Sequence, residues 1–534
     1  MSDRSFSIPY GQTGYFSKIA QDYFADSDVI KEFTHGLPDL DSFEKQIESK
    51  GKEYSGTFRA VLVEQLRLQY EEIESCEFTL RQIDLLSSSK TFTVTTGHQL
   101  NLFTGPLYFL YKIIGVLNAC KKLKERYPEY EFIPIYWMAT EDHDFDEIKF
   151  FHYRDKKMVW HHNASGGVGR LLLEGLEQVH AALSNVLGSG KQARALLRLF
   201  ENAYLTSSNL AHATRVLVHE LFGQDGLVII DGDCKGLKSL MLPYFKNELS
   251  IKACFNAVNE TLANWPSDYH IQVTPREINL FYLVNGLRER IVLSPDGYEV
   301  LNTDLKFTKD EMKQELELHP ERFSPNVLMR PLYQEVILPN LAYIGGAGEF
   351  AYWVELKNYF ETQGVVYPQL IIRNSLLIAS RKQASKLQKL GLSWEHLFLK
   401  PHELDEYIVK EQGEITIDFS SQKEYLRQQF SNLHDLAKLT DPSFKGAVAA
   451  QEKKQINGLQ HLEKRLLRAQ KRKMKEITQR AQYLRSELFP LNSLQERHQN
   501  FSVFYESYGS RLMERLFEEV DPFERQFKIL VFDE

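Results

Sequence analysis

The chain has 534 residues, 43% of them apolar and 25% charged, with a formal net charge of −8. Such a length exceeds one compact core and implies roughly two to four units, and this composition excludes a disordered or fibrous protein. The acidic balance gives no overall electrostatic footprint for nucleic acid, so small molecules or proteins are the expected partners.

The four cysteines, Cys76, Cys120, Cys234 and Cys254, have no CxxC spacing. They indicate free thiols in a reducing cytosol rather than a zinc ribbon or a disulfide framework. No run of about 18 apolar residues occurs, and the N-terminus MSDRSFSIPYGQTGYF lacks an apolar signal core, so a cytoplasmic protein without a membrane partner is expected.

Residues 10–90 read as helical, broken by turns at HGLPDLDSF and KGKEYSG, and lead into a strand at Thr91–Val94. After the polar turn TTGHQLNLFTGP, apolar residues at three- and four-residue spacing predict a buried helix over Leu107–Tyr127. A second strand, EFIPIYWM, runs directly into ATEDHDFDEI. Strand, helix and strand form the βαβ unit of a parallel sheet with a right-handed crossover, making residues 1–154 the first half of an α/β core. Residues 155–205, following a hairpin that begins near FHYRDKK, read as an insertion.

The second half, 206–380, resumes with a helix and the strand Leu227–Asp233. Short alternating runs at about 258–322 suggest a β-containing insertion. VLMRPLYQEVILPNLAYIGGAGEFAYWVELKNYFETQG then reads as helix, glycine turn and helix, and VVYPQLIIRNSLLIAS as strand ending at Arg373 and Asn374.

Residues 381–500 read as a helical coiled coil. Leu426, Phe430, Leu433 and Ala437 face a seam of Leu459, Leu462, Leu466 and Ala469, and a one-residue skip precedes Met474, Ile477, Ala481, Leu484 and Leu488. The seam carries more apolar surface than one hairpin covers, so a homodimer through residues near 420–490 is expected. The basic run KRLLRAQKRKMK is read as a solvated face. In the segment 501–534, FKILVF should dock back on the core.

Ligands of open parallel sheets bind outside the carboxyl ends of the strands. Polar clusters recur there: Thr95, Thr96, Gly97, His98, Gln99 and Asn101 after the first strand; Glu141, Asp142, His143 and Asp144 after the second; Asp231 and Asp233 after the third; Arg373, Asn374 and Ser375 after the last. Gly97 and Gly105 let the backbone approach a ligand, the next helix offers N–H groups to an anion, and His98 can donate to phosphate. A structural turn with a capped helix is the alternative.

EDHDFDE packs five carboxylates and a histidine into seven residues. Their repulsion needs compensation, and they would repel an unshielded triphosphate. Three readings stand: an exposed acidic turn, a metal site using His143, Asp144 and His98, or a substrate site with acid–base capacity. YIGGAGEFAYW, with Glu349 and Tyr352, is either a tight connection or a glycine wall for a flat ring.

VTTGHQLNLFTGPLYFLYKI, IPIYWMATEDHDFDEI, YIGGAGEFAYW and IIRNS together resemble, in order, the bacillithiol biosynthesis cysteine-adding enzymes (BshC family), with His98 where many members carry Gln. The resemblance implies a Rossmann-like, nucleotidyltransferase-like core with two connecting-peptide insertions and a coiled coil that pairs protomers. It implies a ligase that joins the cysteine carboxylate to the amine of glucosaminyl malate.

A free carboxylate does not form an amide readily at neutral pH, so activation by ATP is expected, with Mg2+ left open. Fold analogy favours an adenylate. Thr96, Gly97 and His98, with Gln99 and Asn101, would hold the nucleotide or carboxylate. Asp142, His143 and Asp144 are the expected catalytic group, with Glu141 or one of the two aspartates orienting and deprotonating the amine. Arg373 and Asn374 would steady developing negative charge, and no residue is assigned to a metal. A metal-dependent hydrolase and a non-catalytic nucleotide-binding scaffold are the competing functions.

Overall fold

Strands with both faces covered read as continuous apolar or β-branched runs rather than as alternation. Five such strands form the centre of the molecule: β1 (Thr91–His98), β2 (Glu131–Met138), β3 (Val228–Asp231), β4 (Asn340–Gly345) and β5 (Gln369–Ile372). The computed structural model describes residues 4–413 and 415–533. All neighbouring pairs in the sheet are parallel, in the order β5-β4-β1-β2-β3. The chain moves outward from β1 to β3 and then returns to the other side of β1 for β4. The topological switch point therefore lies between β1 and β4.

The helix Tyr108–Arg126 crosses from β1 to β2 and is buried along most of its length. β4 departs from the sequence expectation of helix, glycine turn and helix. Pro339 follows the end of the helix Arg330–Ile337, where it cannot continue the hydrogen-bond ladder. The next six residues are buried on both faces between β1 and β5. An unalternated run this short carries no periodic signal that separates strand from helix.

After β2, a hairpin of Phe150–Tyr153 and Lys156–Val159 leads into the helices Leu176–Val186 and Lys191–Tyr204. Between β3 and β4 stands an antiparallel sheet of Leu280–Val284, Leu287–Ser294, Gly297–Val300, Lys306–Thr308 and Phe323–Pro325. HIQVTP, expected to be part of that β structure, is instead an irregular segment. A third sheet sets Gln526–Phe532 between Arg4–Pro9 and Leu376–Ser380, so both ends of the chain pair beside the core. The four cysteines are unpaired.

The helices Ser420–Ala437 and Pro442–Lys473 form an antiparallel hairpin continued by Lys475–Leu488. The interruption falls at Met474, with φ −95 and ψ 18, where the apolar spacing skips. Phe430, Ala437 and Val448 make its small core, with Leu426 against them. Leu462 and Leu439 stay 53% and 84% exposed, so apolar surface remains uncovered on this arm.

Candidate active site

A cavity of about 840 Å³ opens over the carboxyl ends of β1, β2 and β4. Its floor is set by the end of β1, which continues as strand through His98, where the sequence reading ends it at Val94 and places Thr95–His98 in a turn. Gly97 sits so close to β4 that a side chain there would come within 3.2 Å of the Tyr343 hydroxyl and 3.7 Å of Arg330 Nη1. Lys112, on the crossover helix, donates to the Gly97 carbonyl at 2.8 Å and pairs with Glu349. Glu349 also accepts from Tyr343 at 2.6 Å and from the Gly346 amide at 2.8 Å. Burial alone would raise its pKa, but Lys112 and these donors outweigh it and hold the carboxyl at about 2. Burial pushes the Lys112 ammonium below its usual range, a cost that Glu349 partly offsets.

His98 packs against Tyr108 and Phe109, with ring centroids 5.4 and 5.1 Å away. Burial first, and Lys112 second, depress its pKa to about 3, so it is a neutral ring at working pH. Among the described residues its Nε2 has no partner. Arg330 lies beside Trp137 and Tyr343, spends Nη1 on Gln334 at 3.0 Å, and leaves Nη2 buried without a hydrogen-bond partner among the described residues. Both unused atoms suit an oxyanion ligand.

The acidic motif is compensated almost residue by residue. Glu141 pairs with the buried Lys238, whose pull opposes the upward push of burial on the carboxyl. Asp142 accepts from Gln99 at 2.9 Å and from the His143 amide at 2.7 Å. Glu147 takes the same Gln99 amide group at 2.8 Å, and Asp146 pairs with Lys149. Arg288 donates to His143 Nδ1 at 2.7 Å, which places the imidazole proton on Nε2. Among the described residues, no group of three or more His, Cys, Asp or Glu side chains could hold a metal ion. The ligand set of the metal-dependent hydrolase reading is therefore not assembled there.

Of the residues singled out in the sequence, Gly97, His98, Gln99, Glu141, Asp142 and His143 come together on the cavity wall. The others face elsewhere. Thr96 donates to the Ile344 carbonyl at 2.7 Å, Asn101 to the Glu147 carbonyl at 3.3 Å, and Asp144 is exposed outside the wall. Arg373 forms a buried ion pair with Glu496 at 2.8 Å behind Tyr108, while Asn374 donates to the Asp521 carbonyl at 2.7 Å. Both residues tie the carboxyl-terminal segment to the core. Asp233 pairs with Arg170 at 2.7 Å, and Asp231 accepts from Thr140.

The helix start after the first turn also differs from expectation. The Leu107 amide donates to Gln499 at 2.8 Å, and Phe109 and Leu110 have backbone acceptors. Asn500 takes the Phe103 and Gly105 carbonyls at 2.7 and 2.6 Å. This turn seats the segment around Asn500 instead of presenting open N–H groups, and side chains take over the anion-facing role.

The cations were not legible in the motifs. Lys112, Arg276, Arg288, Arg290 and Arg330 line the cavity against three carboxylates, Glu141, Asp142 and Glu349. The wall is net positive, the reverse of the repulsion expected from the acidic motif alone. One signal was available for Lys112: a lone lysine beside Ile113 and Ile114 in a helix otherwise apolar on that stretch.

Two family models cover the chain. "Bacillithiol biosynthesis BshC, N-terminal Rossmann-like domain" matches residues 4–374, and "Bacillithiol biosynthesis BshC, C-terminal coiled-coil domain" matches 376–532. A protein of Flavobacterium johnsoniae described as "Putative cysteine ligase BshC" is 50% identical over 98% of this chain and 99% of its own. One of Christiangramia forsetii with the same description is 51% identical over 98% of each. A tyrosyl-tRNA synthetase of Archaeoglobus fulgidus aligns over 79% of this chain and 99% of its own at 11% identity, with a TM-score of only 0.22.

Proposed function

The chain belongs to the BshC family of bacillithiol biosynthesis, and from that premise we propose that it joins the carboxylate of cysteine to the amine of glucosaminyl malate with ATP activation. The observation that carries this reading is the cavity at the β1/β4 switch point, whose net-positive wall faces Asp142 and His143. An amide ligase must hold several anions beside an amine, and this wall supplies both kinds of contact.

The residues present fit a nucleotide phosphate. Arg330 Nη2 and His98 Nε2 are unpartnered polar atoms at the switch point, beside the glycine that lets backbone approach. They are the groups that would hold it, and ATP would supply the activation that a free carboxylate lacks. The Lys112–Glu349 pair holds the Gly97 end of β1 beneath them.

On the opposite side, Asp142 orients the amine and takes its proton. Among the described residues no lysine or arginine forms an ion pair with this carboxylate, whereas Glu141 is engaged with Lys238. His143 acts as a hydrogen-bond donor through Nε2, because Arg288 occupies Nδ1. Asp144, exposed away from the wall, has a supporting place at most in the acidic loop.

Cysteine, glucosaminyl malate and ATP are supplied together to the purified protein, and bacillithiol, AMP and ADP are assayed at once. Bacillithiol with stoichiometric AMP supports adenylate activation, and ADP supports an acyl phosphate. Nucleotide binding without any thiol product would leave the scaffold reading in place.

A further inference from the structure

The second insertion presents to the cavity two guanidinium groups, those of Arg276 and Arg290, that no other side chain among the described residues uses. Arg288 and Arg290 stand at alternate positions of Leu287–Ser294 and so point to one face of the sheet, while Glu289 turns away to meet Asn302 at 3.2 Å. Arg288 is fully engaged: it donates to His143, to Ser324 at 3.1 Å and to the Pro325 carbonyl at 3.1 Å, and lies 4.0 Å over the Phe281 ring. The side chains of Arg290 and of Arg276, from the irregular segment before the sheet, line the same cavity and make no hydrogen bond or ion pair among the described residues.

Arg276 is exposed and Arg290 half-buried, so both guanidinium groups are open to an anion that enters the cavity. A sheet face packed on an interior would carry apolar residues, whereas Arg290 stands on this one. A guanidinium carries five donors in a planar fork that fits a carboxylate or phosphate through two parallel bonds. The neighbouring floor keeps its own unused donor on Arg330 for an anion at the strand ends. The arginines of the insertion thus form a separate subsite across the cavity.

We propose that Arg276 and Arg290 form a recognition subsite for a carboxylate-bearing tail, which selects the amine substrate by its negative end. The subsite deepens the ligase reading and rests on it for which substrate carries the tail, but the binding of a carboxylate anion does not depend on turnover. Phosphate shares the same chemistry, and the test separates the two sources.

Calorimetric titrations of the full chain and of Arg276→Gln/Arg290→Gln use L-malate, inorganic phosphate and ATP, each at low and high salt. Thermal melts check that both proteins are folded; with Arg276 exposed and Arg290 half-buried, the melts should lie close together. The expected result is malate binding that weakens with salt and falls about tenfold for each arginine removed, with ATP affinity little changed. Malate binding that is absent in the wild type, or equal in both proteins, overturns the proposal. So does a variant that loses ATP or phosphate and keeps malate, since the arginines then serve the nucleotide.

In steady state, the wild-type preference for glucosaminyl malate over glucosamine should collapse in the variant through KM rather than kcat. An unchanged preference also overturns the proposal. If malate binds in an arginine-dependent manner to a protein that forms no amide, the subsite stands and the ligase reading fails.

Discussion

Removing either partner of the Lys112–Glu349 pair should reveal how the site's floor is held. A carboxyl held at about 2 rather than at ~4.3 gains ~3 kcal/mol for its ionised form at neutral pH. That figure overstates the pair, because the Lys112 ammonium, itself pushed down by burial, recovers only part of its desolvation from Glu349. We take ~2 kcal/mol as the coupling between them. Glu349→Gln leaves a buried ammonium with only the Gly97 carbonyl as a strong partner, and should cost ~3 kcal/mol or more. Lys112→Met leaves a carboxylate that keeps the Tyr343 and Gly346 donors, and should cost less, ~2 kcal/mol. The double variant should therefore cost ~2 kcal/mol less than the sum. Urea unfolding of the four proteins measures this directly. The sign with pH follows from a depressed carboxyl: the contribution is complete above ~4.3 and fades as pH falls toward the folded value of about 2. Coupling equal at pH 7 and 5 and shrinking at lower pH is expected. Costs that add to within ~0.5 kcal/mol at pH 7 would refute an energetically coupled pair.

Asp142→Asn should abolish thiol formation while its melting temperature stays near wild type, because the carboxylate contributes no packing; retained activity removes it from the mechanism. His98→Gln should keep catalytic efficiency within a few-fold and leave the pH–rate profile unmoved between about pH 6 and 9, since a ring with pKa about 3 is already neutral there. Glu355 is fully buried, accepts the Gln272 amide at 2.7 Å, and is raised by burial to about 7. A raised carboxyl stabilises most below ~4.3 and loses that contribution as pH climbs to about 7. Glu355→Gln should accordingly gain ~3 kcal/mol on wild type between about pH 4 and 8, read from urea midpoints. Light scattering should give twice the 62.2 kDa chain mass at micromolar concentration, and Leu462→Glu with Leu466→Glu should return it to one chain; a wild-type monomer would remove the coiled-coil dimer.

The parallel core was legible where periodicity and turn chemistry agree. The crossover helix and β2 combine a long three-four apolar spacing with an apolar run, and both are where the sequence puts them, whereas β1 starts at Thr91 as expected but runs on through His98, because its polar residues Thr95–His98 pair with β2. The seam skip in the coiled coil is likewise a purely local signal, and the helix breaks at Met474. β4 escaped because six residues buried on both faces carry neither period, and Arg4–Pro9 escaped because its pairing with Gln526–Phe532 joins opposite ends of the chain.

The same distinction explains the site. An acidic motif announces itself within seven residues, but what makes it tolerable arrives from far away: Lys238 from beyond β3, Arg288 from the second insertion, Gln99 from the neighbouring strand end. Sequence therefore shows the charge that is concentrated and hides the charge that is dispersed. A reading from the motif alone gives a cleft that repels phosphate, whereas the folded wall holds five lysines and arginines against three carboxylates. Arg373 and Asn374 fail in the opposite direction. They stand at a strand end, as a ligand-binding pair should, yet Glu496 and the Asp521 carbonyl occupy them because the carboxyl-terminal segment folds back over that edge. Position at a strand's carboxyl end makes a residue available to a ligand only where no later part of the chain has arrived first.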